Sequence, residues 1–277
     1  MKKYLAIILA IVTVLSVLAF AGCGKKDEQP NNDATNPSND VVEATGELAE
    51  IKEKGKLIVG ITEYPPMNFK DEKGEWTGFD TELTYAFAEK LGVDVEFIVL
   101  TDWEKKFIEL KSGTIDCVWN GMTITDEGRK NASISDVYLK NSQVVVLPAD
   151  KAAAVKTVED LKAFTFAVEN GSAGQAIAKE KDIKFTPVQD MGKALLEVKS
   201  GACDGCIIDK TMAEATVGEG TSYEKLAISI TLSTEEFGVA FRQDSNLTAE
   251  FNTFLKDYQA SGDFEKLAAK YEINIEK

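Results

Sequence analysis

Histidine is absent from these 277 residues. Its absence removes Ser-His-Asp and Cys-His catalysis and the commonest metal ligand. Cysteine is scarce, at four. Cys117 lies inside an apolar run and reads as a small buried hydrophobe. Cys203 and Cys206 form a lone C-x-x-C around Asp204 and Gly205, with no second pair. That argues against a zinc site, and for buried free thiols over a tight local disulfide. No metal or cofactor is expected. Positive charge is also short: 31 Lys and Arg face 46 Asp and Glu, a formal −15 that becomes −17 without Lys2 and Lys3. Such a balance argues against nucleic acid and against adsorption to anionic lipid. No hydrophobic run of spanning length follows the N-terminal one, which argues against a receptor with a cytoplasmic kinase.

What is present begins with a targeting pattern. Lys2 and Lys3 precede an apolar stretch, Tyr4 to Phe20, and the small residues Ala21 and Gly22 precede Cys23. Residues 1–22 read as a secretory signal. A cysteine placed there resembles the bacterial lipobox, although Phe20 stands where leucine is usual. Cys23 is therefore expected to carry lipid and hold the protein at the outer face of the cell membrane, periplasmic where an outer membrane exists. Residues 23–46 are rich in Asp, Asn, Pro and Ser, with almost nothing to bury, and should form a disordered tether.

Residues 47–277 suffice for one large or two medium domains. Strands alternate with helices. Strands are expected at 56–62, 93–99 and 143–147, then at 165–169, 183–187 and 206–209. Helices are expected at Asp80–Leu91 (with Leu83, Phe87 and Leu91 on the apolar face), 103–110, after Gly171, and at 191–199. Residues 247–271 read as two amphipathic helices broken at Ser261-Gly262. Two series of βα units, each too short for a large sheet, predict two α/β lobes.

The stretch from Ile115 to Thr125 is the centre of the pattern. A short apolar run ends in Asn120, Gly121 and Thr123, leaving amides and hydroxyls at the carboxyl end of a strand, where open α/β sheets bind ligands. Gly171-Ser172-Ala173 opens a helix whose free N-terminal amides suit a carboxylate. Asp209 ends an apolar strand, a position where aspartate ordinarily makes a turn or cap.

With these features in sequence order, the chain resembles the extracellular solute-binding proteins of polar amino acid ABC transporters. Gly78-Phe79-Asp80-Thr81-Glu82-Leu83 with Ala88 and Leu91 matches the family signature. Tyr64-Pro65-Pro66-Met67-Asn68-Phe69, Asp102-Trp103, residues 116–125, Gly171-Ser172, residues 200–209 and Gly262-Asp263-Phe264 follow in the family's order. The resemblance implies a periplasmic-binding-protein-like (type II) fold: residues 47–140 with 236–277 as one lobe and 141–235 as the other, joined by a two-strand hinge. Closure of such lobes traps a ligand.

It also implies roles. Tyr64 and Trp103 would sandwich the ligand side chain, Asn120, Gly121 and Thr123 would hold its α-carboxylate and α-ammonium groups, and Asp209 would pair with the ammonium. Ser172, Ala173 and Glu169 would complete the pocket. The family's carboxylate-clamping arginine is missing: Gly128 stands there, and Arg129, one residue late, is its candidate replacement. Aromatic faces together with Glu63 and Glu169 favour a basic amino acid over glutamate, while a neutral ligand such as glutamine or cystine stays open. The expected protein is a monomer that passes a free amino acid to a permease and ATPase complex and does no chemistry. The rival from another class is a dehydratase or lyase on the same scaffold, using a cleft carboxylate as acid or base.

Overall fold

Two five-stranded sheets organise the described residues, 46–275, of the computed structural model. The expectations for the signal, Cys23 and the tether lie outside these residues, apart from Gly46. The chain runs through α1 (Gly46–Lys54), β1 (Lys56–Ile61), the hairpin β2 (Phe69–Lys70) and β3 (Trp76–Thr77), α2 (Phe79–Leu91) and β4 (Asp94–Val99). A 3-10 turn (Trp103–Lys105) leads into α3 (Lys106–Ser112), β5 (Cys117–Val118), α4 (Asp126–Asn131) and β6 (Ser133–Ile134). Then come β7 (Leu139–Pro148), α5 (Ala149–Ala152), β8 (Phe166–Glu169), α6 (Ala173–Glu180), β9 (Phe185–Val188), α7 (Met191–Ser200), β10 (Gly205–Asp209), α8 (Lys210–Thr216) and β11 (Leu226–Phe237). The chain closes with β12 (Ala240–Phe241), α9 (Leu247–Ala260) and α10 (Asp263–Lys270).

The first sheet has strand order β4-β1-β5-β12-β6 and the second β11-β7-β10-β8-β9. In the first, β1 pairs parallel with β4 and β5, and β12 pairs antiparallel with β5 and β6. In the second, β8 lies parallel to β9 and β10, while β7 is antiparallel to both β10 and β11. Strands β7 and β11 enter and leave the second sheet side by side, paired from Leu226 opposite Pro148 to Phe237 opposite Leu139 with register shifts on either side of Thr231. The centre of the chain thus inserts a complete sheet into the first one, whose last strand comes from beyond residue 239.

Helix α2 shows how local sequence serves this plan. Gly78 precedes it at φ 121°, where a Cβ would come within 2.3 Å of the Met67 carbonyl oxygen, so only glycine fits. Gly92 ends it in the left-handed conformation, its N–H returned to the last helical carbonyls. Between them Phe79, Leu83, Phe87 and Leu91 recur every four residues and are all buried. Phe87 meets the Phe251 ring edge-on at 5.3 Å, and Phe79 meets Phe264 in the same manner at 5.3 Å. The C-terminal helices α9 and α10 therefore complete the core against the first sheet. Truncating such a ring to alanine costs about 3–5 kcal/mol.

The start of β5 is held electrostatically. Buried Asp116 accepts from the Ile58 amide at 2.8 Å and pairs with Lys54 at 2.6 Å and Arg242 at 3.0 Å. Two expectations need correction. The strand in the central stretch is only Cys117–Val118, because the chain turns away at Trp119 to present its backbone. Gly46 belongs to α1, not to the tether. Cys117, Cys203 and Cys206 are buried free thiols, and among the described residues no helix is long and apolar enough to cross a membrane.

Candidate ligand-binding site

The turn after β5 is fixed by a buried polar chain. The Thr81 hydroxyl donates to Asn68 Oδ1 (2.7 Å), Asn68 Nδ2 donates to Asn120 Oδ1 (2.8 Å) and to the Trp119 carbonyl (3.1 Å), and Asn120 Nδ2 donates to Thr62 Oγ1 (2.6 Å). The Asn120 side chain is therefore spent inside the protein. Gly121 stands at φ 55°, and its N–H donates to Asp80 Oδ2 at 2.7 Å, as does the Tyr138 hydroxyl at 3.0 Å. Burial lifts the Asp80 carboxyl to about 7, against the pull of those donors. A Cβ at Gly121 would come within 2.6 Å of Tyr64 Cε1. Backbone and ring are in close contact there.

Beyond this turn lies a cavity of about 510 Å³ between the two sheets. Trp103, Asn120, Gly121, Thr123, Glu169, Ser172, Ala173 and Asp209 all line it, as do Lys106, Thr125 and Glu127. Three expected residues, Tyr64, Arg129 and Glu63, do not. Tyr64 is wholly buried beneath Gly121 instead of standing on the cavity wall. Its hydroxyl has no well-formed hydrogen bond, and burial together with the neighbouring Asp209 carboxylate raises its pKa. Arg129 is exposed on α4 and does not reach the cavity. The helix begins with its N-cap Thr125 accepting from the Gly128 amide, and this turn carries position 129 outward. Glu63 is exposed as well, since its neighbours Thr62 and Tyr64 take the inward positions. A second hollow of about 890 Å³ lies behind β7 and β11 and is lined by Lys140, Lys210 and Glu214 among others. Glu235 lines this hollow, whereas Glu169 and Asp209 do not.

Two buried carboxylates, Asp209 and Glu169, stand on the cavity wall, and Glu235 lies behind Asp209. Asp209, at the end of β10, makes no cap bond to α8. Its Oδ1 accepts from Gln143 Nε2, its register partner on β7, and the same amide donates to Glu235 Oε1 at 2.9 Å. Burial raises both carboxyls, and the Glu235 charge raises Asp209 further. Glu169, at the end of β8, is 4% exposed and one of its oxygens has no partner. Burial and then repulsion from Asp209 hold its pKa high, with Lys106 pulling the other way. Among the described residues, none of these three carboxylates belongs to an ion pair.

Lys106 is the residue that sequence reasoning missed. Its ammonium lies 4.9 Å from the Trp103 ring centre and 5.1 Å from that of Phe107. It donates to the Trp103 and Gly171 carbonyls, each at 3.2 Å. Burial lowers its pKa to about 8. Opposite it, Ser172 caps α6 by accepting from the Gln175 amide at 3.1 Å, which leaves the first amides of that helix facing the cavity mouth.

The chain is similar to several proteins of related design. It is 33% identical to the arginine-binding extracellular protein ArtP of Bacillus subtilis (strain 168) over 79% of this chain and 86% of that one. A crystal structure of a mutant of ArgBP from T. maritima superposes with a TM-score of 0.76 at 35% identity, covering 81% of this chain and 98% of that chain. The ancestral amino acid-binding protein AncCDT-1, described as a precursor of cyclohexadienyl dehydratase, gives 0.75 at 33% identity, covering 82% and 99%. Further relatives bear the names of histidine-, glutamine- and cystine-binding proteins. Residues 57–274 match one family profile from end to end of the two-sheet body, and the chain belongs to the bacterial extracellular solute-binding proteins, family 3.

Proposed function

We propose that this protein captures a free polar L-amino acid outside the cell, with a basic side chain favoured, and delivers it to an ABC importer without chemical change. The observation that carries the reading is the pair of buried carboxylates, Asp209 and Glu169, on the wall of one cavity, neither of which belongs to an ion pair among the described residues. A buried unpaired charge costs several kcal/mol. A ligand that brings an α-ammonium group to Asp209 and a second cation toward Glu169 and the Trp103 ring removes that cost. The arginine-binding names of two relatives agree with this charge count.

In this reading residues 47–140 with 236–277 and residues 141–235 are two lobes, with β7 and β11 as the hinge. Lipid on Cys23 tethers a monomer to the membrane. Titration calorimetry of the purified protein against the twenty amino acids tests it: saturable one-to-one binding of arginine, lysine or ornithine is expected, and tight binding of glutamate or aspartate overturns it. One observation supports a second reading. Glu169 is a buried, unpaired carboxyl with a raised pKa, the form suited to a general acid, and AncCDT-1 is named as a precursor of a dehydratase. Mass spectrometry of the recovered ligand separates the two, because only an enzyme consumes it.

A further inference from the structure

An amino acid brings a carboxylate as well as an ammonium group, and α4 supplies no cation to meet it. At Gly128 an added Cβ would come within 3.0 Å of Ile134 Cδ1, 3.3 Å of Thr125 Oγ1 and 3.5 Å of Phe107 Cζ. The space into which a longer side chain would pass is already filled, and Arg129 is exposed and does not line the cavity. Of the two lysines that line the cavity, Lys179 is exposed and bonded to Gln175 Oε1 at 3.0 Å. Lys106 is half-buried, beside Thr125 and across from Ser172 and the first turn of α6.

Resting on the amino acid-binding reading, we propose that Lys106 receives the ligand α-carboxylate in place of the arginine absent at Gly128. An ammonium group has three donors. Two of those on Lys106 are taken by carbonyl oxygens, one on each side of the cavity. The third is left for an acceptor in the cavity. The carboxylates that face Lys106 are Glu169, Glu127, Glu104 and Asp102. Among the described residues none of them lies within ion-pair distance of it. Carbonyl dipoles stabilise an ammonium group less than a carboxylate does, and burial lowers the pKa of Lys106 in spite of the carboxylates that face it. A carboxylate placed between Lys106 and the Ala173 amide would supply a counter-charge and meet the positive end of α6.

The test compares each amino acid with its carboxamide: arginine with argininamide, lysine with lysinamide, glutamine with glutaminamide. Calorimetry is run at about pH 6, where both amines are protonated. In the unaltered protein the acid should bind far better than the amide. Lys106→Met should weaken the acid by roughly 10- to 150-fold and leave the amide nearly unchanged, and Lys106→Arg should keep the preference. The amide, measured in the same variant, controls for folding. If Lys106→Met weakens acid and amide equally, or alters neither, Lys106 only holds the sheets together or balances Glu169, and the proposal is overturned. If no amino acid binds the unaltered protein, the functional reading falls and takes this proposal with it.

Discussion

Replacing Asp209 with asparagine should separate binding from stability, because the two respond in opposite directions. Asparagine keeps the size of the side chain and the oxygen that accepts from Gln143 Nε2, and it deletes only the charge. A ligand ammonium group then loses its buried counter-ion. Removing one partner of such a pair costs ~2–5 kcal/mol, or roughly 30- to 4,000-fold in Kd. The unliganded protein should behave otherwise. Burial and Glu235 hold the folded-state pKa of Asp209 above its ordinary 3.8, so the folded protein keeps this proton longer than the unfolded chain does. Stability from this group is greatest at low pH and declines as pH rises from the ordinary value toward the raised one, by about 1.4 kcal/mol per pH unit in that interval. The variant escapes that decline. Its unliganded Tm should match or exceed that of the parent at about pH 5, and the gap should widen toward about pH 8, each kcal/mol being worth about 2–4 °C. Calorimetry and differential scanning fluorimetry at the two pH values provide the readout. Unchanged affinity, or an unliganded Tm lower than the parent's at both pH values, would refute the assignment of Asp209 to the ammonium group.

Other perturbations follow from the same geometry. Glu169→Gln should weaken a basic amino acid by ~1–3 kcal/mol and barely affect a neutral one, and calorimetry with arginine and glutamine checks this. Gly121→Ala should lower the Tm by an amount corresponding to about 1–3 kcal/mol, because its Cβ meets Tyr64 at 2.6 Å and its φ is positive; a Tm within error of the parent contradicts the close contact. Cys23→Ala should release the protein into the soluble fraction with ligand affinity unchanged, as fractionation and calorimetry together would show.

Much of the first sheet and its flanking helices was legible in the sequence. Helix α2 announced itself through apolar residues at intervals of four between two glycines, and α9 and α10 through the break at Ser261-Gly262. Strand β11 was not legible. Its Ile, Ser and Thr residues alternate weakly, and it ends in Thr234-Glu235-Glu236, which reads as solvent-exposed although Gln143 and Asn141 bind Glu235 inside. Helix α1 escaped notice because it directly follows a polar segment and buries only Ile51.

At the site, strand-end positions such as Asp209 and Gly121 could be placed, because a change from apolar to small or acidic residues marks where a sheet stops. Side-chain direction within one turn could not. Lys105 and Lys106 look alike in sequence, yet the 3-10 turn aims Lys105 out to Asp102 at 2.9 Å and Lys106 inward over Trp103. The same one-residue phase puts Glu63 in solvent and buries Tyr64, and it sends Arg129 away from the cavity that it was expected to serve.

A crystal structure of the protein with the amino acid that binds most tightly tests the central claim most directly. One molecule is expected in the cavity between the two sheets, its ammonium group within hydrogen-bond distance of Asp209 and its side chain directed toward Glu169 and the Trp103 ring. A ligand seated in the hollow behind β7 and β11, or one that leaves Asp209 and Glu169 without a cation, would contradict it.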